Sequence, residues 1–175
     1  MGNNIKKKTL RILAIFIIVI LHAGCTEAEM PSDEQLENEF KSKKKLYEGF
    51  VQEYLDKGLY RIEIFSEDKL LYLPKTINPA SLEKLKRQLE EQLELKLVSS
   101  FGLQENYKKT NEVYFVNYRR GLVFAGESKG LAYVIDETNI ELVDDLDKIN
   151  RKEISGKRLH KYIEPHWYIY FQYDE

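Results

Sequence analysis

Cysteine is all but missing from this chain: of 175 residues only Cys25 is one, so no intrachain disulfide or thiolate zinc site can form. Histidine is scarce too, with only His160 and His166 beyond His22. Two histidines, one on a strand and one in the turn of a hairpin, are poor material for a metal site, and they give no support to Ser-His-Asp or Cys-His catalysis. Four prolines and nine glycines leave no room for a long low-complexity linker. A basic balance is absent as well, since the net charge is −2, and a nucleic-acid partner wants a concentrated basic face. The one long apolar run, Ile12 to Leu21, is ten residues. As a helix it would reach about 15 Å, half of a bilayer's hydrocarbon core.

What is present begins at that run. Lys6, Lys7, Lys8 and Arg11 precede it, which is the charged head and greasy middle of an export signal. Ala23 and Gly24 are small, and Cys25 follows at once. Leu21-His22-Ala23-Gly24-Cys25 resembles the lipobox of bacterial lipoproteins, departing from it at His22, where the family usually has leucine. The resemblance covers the first 25 residues only. It implies a diacylglyceryl group on Cys25, cleavage before it, and lipid anchoring in the cell envelope, on the outer membrane if the cell has two. The chain is then divided into a signal peptide at 1–24, an acylated cysteine and tether at 25–31, and one globular domain at 32–175. Removing residues 1–24 takes away four basic side chains and no acidic one, leaving 23 Lys+Arg against 29 Asp+Glu.

The domain reads as α+β. Ser32 or Asp33 caps a first helix whose stripe is Leu36, Phe40, Tyr47, Phe50, Val51, Tyr54 and Leu55, and Gly58 ends it. Its other face carries Lys41, Lys43, Lys44 and Lys45, a solvated face or a contact for anionic head groups. Leu59–Phe65 and Leu70–Leu73 read as strands. Asn78-Pro79 opens a second helix striped by Leu82, Leu85, Leu89, Leu93 and Leu97 and closed by Gly102. Strands follow at 112–118, 122–125 and 131–135, with turns at Arg119-Arg120-Gly121 and at Glu127-Ser128-Lys129-Gly130. A polar stretch holds a short helix near 141–149. A last hairpin joins 157–163 to 167–173 through Glu164-Pro165-His166. The order α-β-β-α-β-β-β-β-β implies two helices on one face of a curved, mainly antiparallel sheet.

The chemistry is weighed by exclusion. Gly121 and Gly126 have phosphate-loop spacing, but Glu127 stands where the lysine belongs, so they read as turn glycines. Glu141, Asp144, Asp145 and Asp147 match only a fragment of a calcium loop and read as a solvated acidic segment. No metal or cofactor is implied, and no carboxylate pair is singled out for hydrolysis. The last strand stands out. Trp167, Ile169, Phe171 and Tyr173 point one way, while Tyr168, Tyr170 and Gln172 point the other. If the latter face is open, Tyr168 and Tyr170 with Tyr114 and Tyr118 form an aromatic platform for a glycan strand, a lipid or a protein edge. The competing reading has helices or loops covering these rings. The functional expectation is a non-enzymatic envelope binding domain, with an envelope protein or cell-wall glycan as partner. The alternatives are an envelope hydrolase using carboxylates, and an immunity or inhibitor lipoprotein occluding a basic enzyme or toxin.

Overall fold

The structure, a computed structural model, describes residues 29–59, 61–65, 69–70, 79–95, 97–101, 112–122 and 125–175. The leader and Cys25 lie outside the described residues, as do 71–73 of the expected second strand and the polar connection at 104–111. The described elements run α1 (Asp33–Asp56), β1 (Arg61–Phe65), β2 (Lys69–Leu70), α2 (Pro79–Arg87), β3 (Leu97–Phe101), β4 (Glu112–Leu122), β5 (Ala125–Val134), β6 (Glu141–Leu142), β7 (Lys157–Glu164) and β8 (Trp167–Asp174). They form one sheet in the order β2-β1-β3-β4-β5-β8-β7-β6. Every pairing is antiparallel except β6 on β7. The fold is α+β.

α1 starts where its sequence says. Ser32 accepts from the Gln35 amide while the Gln35 side chain accepts from the Ser32 amide, a complete capping box. Its stripe packs on the sheet through rings: Phe40 lies 4.8 Å from Trp167, and Tyr47 meets Phe115 edge-on at 4.9 Å. Leu85, Leu89 and Leu93 join the same core from the second helical segment, together with Ile62, Val98, Val113, Leu131 and Leu159 from the strands. Both helices therefore cover one face. Among the described residues, no helix is long and apolar enough to cross a membrane.

Three expectations need correcting. The second helix does not run to Gly102. It loosens into a π turn at Gln88–Gln92, Glu94 takes φ 58°, and Leu97–Phe101 becomes β3, paired between β1 and β4. The turns expected at 119–121 and 127–130 are strand interior, because β4 and β5 form one long hairpin across them. In place of a helix near 141–149 the chain makes the two-residue β6.

β4 also carries a bulge between Val116 and Tyr118. Opposite it, Gly130 leaves no space for a side chain: a Cβ would come within 2.0 Å of the Phe115 carbonyl oxygen. The Asn117 side-chain Nδ2 donates to Glu39 of α1, whose other oxygen accepts from the Tyr47 hydroxyl, so the bulge is tied to the helix. Burial and Glu39 raise the Tyr47 pKa well above its ordinary value. The extra residue reverses the alternation that follows, and this moves Tyr118.

Candidate functional site

The sheet face away from the helices is built over small residues of β5. Ala132 lies between Tyr114 and Tyr168, and Gly130 lies between Val116 and Tyr170. With no bulk beneath them, rings from β4 and β8 lean together, and Tyr114 meets Tyr170 edge-on at 4.8 Å. Tyr114, Tyr168 and Tyr170 thus do share a face, in a second core with Ala132 and Val134. That face is not an open platform, because all three rings are buried. Tyr118 is not on it at all: past the bulge it pairs with Lys129 and donates to Glu127.

Polar groups thread this second core. The Tyr114 hydroxyl donates to Glu112 at 2.9 Å and accepts from the Arg158 guanidinium at 3.0 Å. Arg158 also donates twice to the Gln172 side-chain oxygen, and its guanidinium lies 4.3 Å from the Tyr114 ring centre. His160 is buried, and among the described residues its Nδ1 has no hydrogen-bond partner. Burial, and secondarily the charge of Arg158, lower its pKa from 6.5 to about 4, so it is neutral at physiological pH. Burial raises the pKa of Tyr114 and Tyr170, and burial with the nearby Glu137 carboxylate raises that of Tyr168 to about 12.

At the margin this face opens. Tyr162 packs edge-on against Tyr168, with ring centres 5.9 Å apart, yet is 53% exposed. Leu142 of β6, in register with His160, is 56% exposed. Parallel register places Leu142, His160 and Tyr162 on one side of the sheet, so the two exposed residues flank a buried one.

The helix face holds a different cluster. Lys129, on the central strand β5, is 1% exposed; its Nζ lies 2.7 Å from Asp33 Oδ1 and 2.5 Å from Asp147 Oδ1. Lys161 reaches Asp33 at 3.3 Å and Glu37 at 2.9 Å. Asp147 also accepts the Asp33 amide, and Asp33 Oδ2 accepts the Leu146 amide. The acidic segment is therefore not wholly solvated: Asp147 closes it onto the start of α1. Oxygens of Asp33, Asp145 and Asp147 lie within 4.8 Å of one another, as a cation would require, and Lys129 is the cation placed beside two of them. Asp147, which burial alone would raise, has its pKa lowered by Lys129 and the Asp33 amide.

At the far end of α1 a cleft of about 270 Å³ lies between Glu48, Val51, Gln52 and Leu55 of the helix and Tyr133, Glu164, Pro165, His166 and Trp167. His166 holds φ 69° in the β7–β8 turn, with Nδ1 3.0 Å from the Val134 carbonyl and its amide on Glu137. Three lysines of α1 form ion pairs, Lys41 with Glu37, Lys43 with Glu94, and Lys44 with Glu48 and Glu164.

Sequence reasoning missed Lys129, Arg158 and Tyr162. Lys129 sits in a polar run that resembles a turn, and its partner Asp33 is far away in the chain. Tyr162 had a usable signal, since it alternates with His160 on the strand beside Tyr168. Compared with protein-family models, curated proteins and solved structures, the chain matches none.

Proposed function

We propose that this protein is a lipid-anchored component of the bacterial cell envelope, and that its α+β domain is a non-enzymatic module that binds an envelope protein through the margin of the tyrosine face. The observation that carries the binding reading is the exposure of Tyr162 and Leu142 beside a buried aromatic core. Large apolar side chains left in water at the margin of a packed surface are what a partner covers, and a tyrosine there offers contact area and a hydroxyl together. Seven residues from Cys25 to the helix cap would span at most about 25 Å, so the domain would stay close to the membrane.

Carboxylates support binding over hydrolysis. Acid-base cleavage wants one carboxyl held protonated near neutral pH. Here Lys161 lowers the pKa of Glu37, and Lys148 lowers that of Asp145. The acidic balance of the domain favours a partner of basic surface, a basic enzyme or toxin included.

Photo-crosslinking groups at positions 162 and 142 test the reading in cells, with position 44 on the helix face as control. One discrete protein adduct at 162 and 142, absent at 44, is the expected result. Equal labelling at all three sites, or an adduct removed by a cell-wall hydrolase and not by a protease, contradicts it. The anchor is tested separately: Cys25→Ser is expected to release the chain from the membrane fraction, and unchanged partition and mass would contradict lipidation.

A further inference from the structure

We propose that Lys129 and Asp33 are joined by an intramolecular amide bond, formed within the folded domain with Asp147 as proton carrier. The two side chains are 1% and 4% exposed, and Nζ faces Asp33 Oδ1 at 2.7 Å. Among the described residues that oxygen nevertheless makes no well-directed hydrogen bond. The other oxygen, Oδ2, is held by the Leu146 amide at 2.9 Å and faces Lys161 at 3.3 Å. Nucleophile, acid and polarising donors therefore converge on one carboxyl group.

The step balances without a co-reactant. Asp147, 2.5 Å from Nζ, takes a proton from the ammonium. The freed nitrogen lone pair attacks Asp33 Cγ, forming the Cγ–Nζ bond. The Cγ–Oδ1 bond breaks, and Oδ1 leaves as water with the two protons that nitrogen gives up, one delivered by Asp147. Oδ2 remains as the amide oxygen. While charge builds on it, the Leu146 amide and Lys161 stabilise it as oxyanion donors do. Holding amine and carboxyl in contact replaces an improbable encounter, and exclusion of water opposes the reverse hydrolysis. The product removes a buried charge of each sign, which an ion pair must otherwise keep desolvated.

The consequence is mechanical. α1 follows directly from the tether, and the bond would fasten its first turn to a central strand in a chain whose lone cysteine allows no internal disulfide. The experiment is mass spectrometry of the purified full chain, whole and after proteolysis. The expected result is a chain lighter by one water, and a branched peptide that carries residues 33 and 129 together. Asp147→Asn is expected to give mostly unlinked chain of full mass with both residues present, and Lys129→Arg wholly unlinked chain. Folded wild-type protein with the full mass and separate peptides bearing Lys129 and Asp33 would overturn the proposal. That measurement needs no variant to fold. Loss of water without the branched peptide overturns it equally, because it marks dehydration elsewhere.

Discussion

The two faces of the sheet bury polar chemistry in opposite ways. Under the helices, charged side chains gather around the buried Lys129 and Asp33: Asp147 lies beside Lys129, and Lys161 lies between Asp33 and Glu37. On the other face the buried residues are mostly neutral and aromatic, and one of them, His160, keeps a nitrogen with no partner among the described residues. The first arrangement fastens distant segments, since α1, β5, β7 and the acidic segment meet in it. The second packs rings over small residues and ends at Tyr162 and Leu142. The tyrosines that look most available in sequence are core, and the exposed one lies at their edge.

The largest effect is expected where full charge is buried. Lys129→Met removes the proposed link together with the cation nearest Asp33 and leaves a desolvated carboxylate; an uncompensated buried charge of this kind costs about 3–5 kcal/mol, read from urea denaturation. An equally stable variant would mean that the cluster does not fasten the helix.

Next comes acid sensitivity on the other face. Because burial and Arg158 hold His160 at about 4 instead of 6.5, the unfolded chain takes up this proton before the folded one does. Stability is therefore full above about pH 6.5 and falls as pH drops toward 4, by up to about 3 kcal/mol. His160→Leu is expected to flatten that limb in denaturation midpoints measured across this range. An unchanged limb would assign the acid sensitivity to carboxylates.

A smaller effect follows from removing one hydroxyl. Tyr114→Phe takes the shared oxygen from Glu112 and Arg158 and is expected to cost about 1–2 kcal/mol, seen as a lowered denaturation midpoint. Tyr162→Ala is expected to change stability by no more than about 0.5 kcal/mol, while abolishing the crosslink at position 142. A loss as large as that of Tyr114→Phe would make Tyr162 part of the core.

Much of this contrast was legible in the sequence where local rules govern. The cap at Ser32, the helical stripe from Leu36 to Tyr54 and the β7–β8 hairpin all follow from spacing and turn chemistry, and the last strand's alternation places Trp167 and Tyr168 on opposite faces as found. Reading failed where tertiary partners override local character. Glu127-Ser128-Lys129-Gly130 has turn composition, yet Asp33 and Arg151 neutralise its charges inside a strand, and Gly130 is there for the bulge. Leu97 continues a helical leucine spacing, but a π turn and a left-handed Glu94 end the helix before it. Alternation along 112–118 puts Tyr118 on the face of Tyr114, and the residue inserted at the bulge moves it to the other. The site was the least legible part, since whether a ring is covered depends on elements distant in the chain.

The most direct measurement of the central claim is tyrosine nitration, mapped by peptide mass on purified protein and on intact cells. Purified protein is expected to react at Tyr162 while Tyr114, Tyr168 and Tyr170 are protected, and Tyr162 is expected to become protected in cells if the proposed partner covers it. Rapid nitration of Tyr168 or Tyr170, or equal reactivity of Tyr162 in both settings, would contradict it.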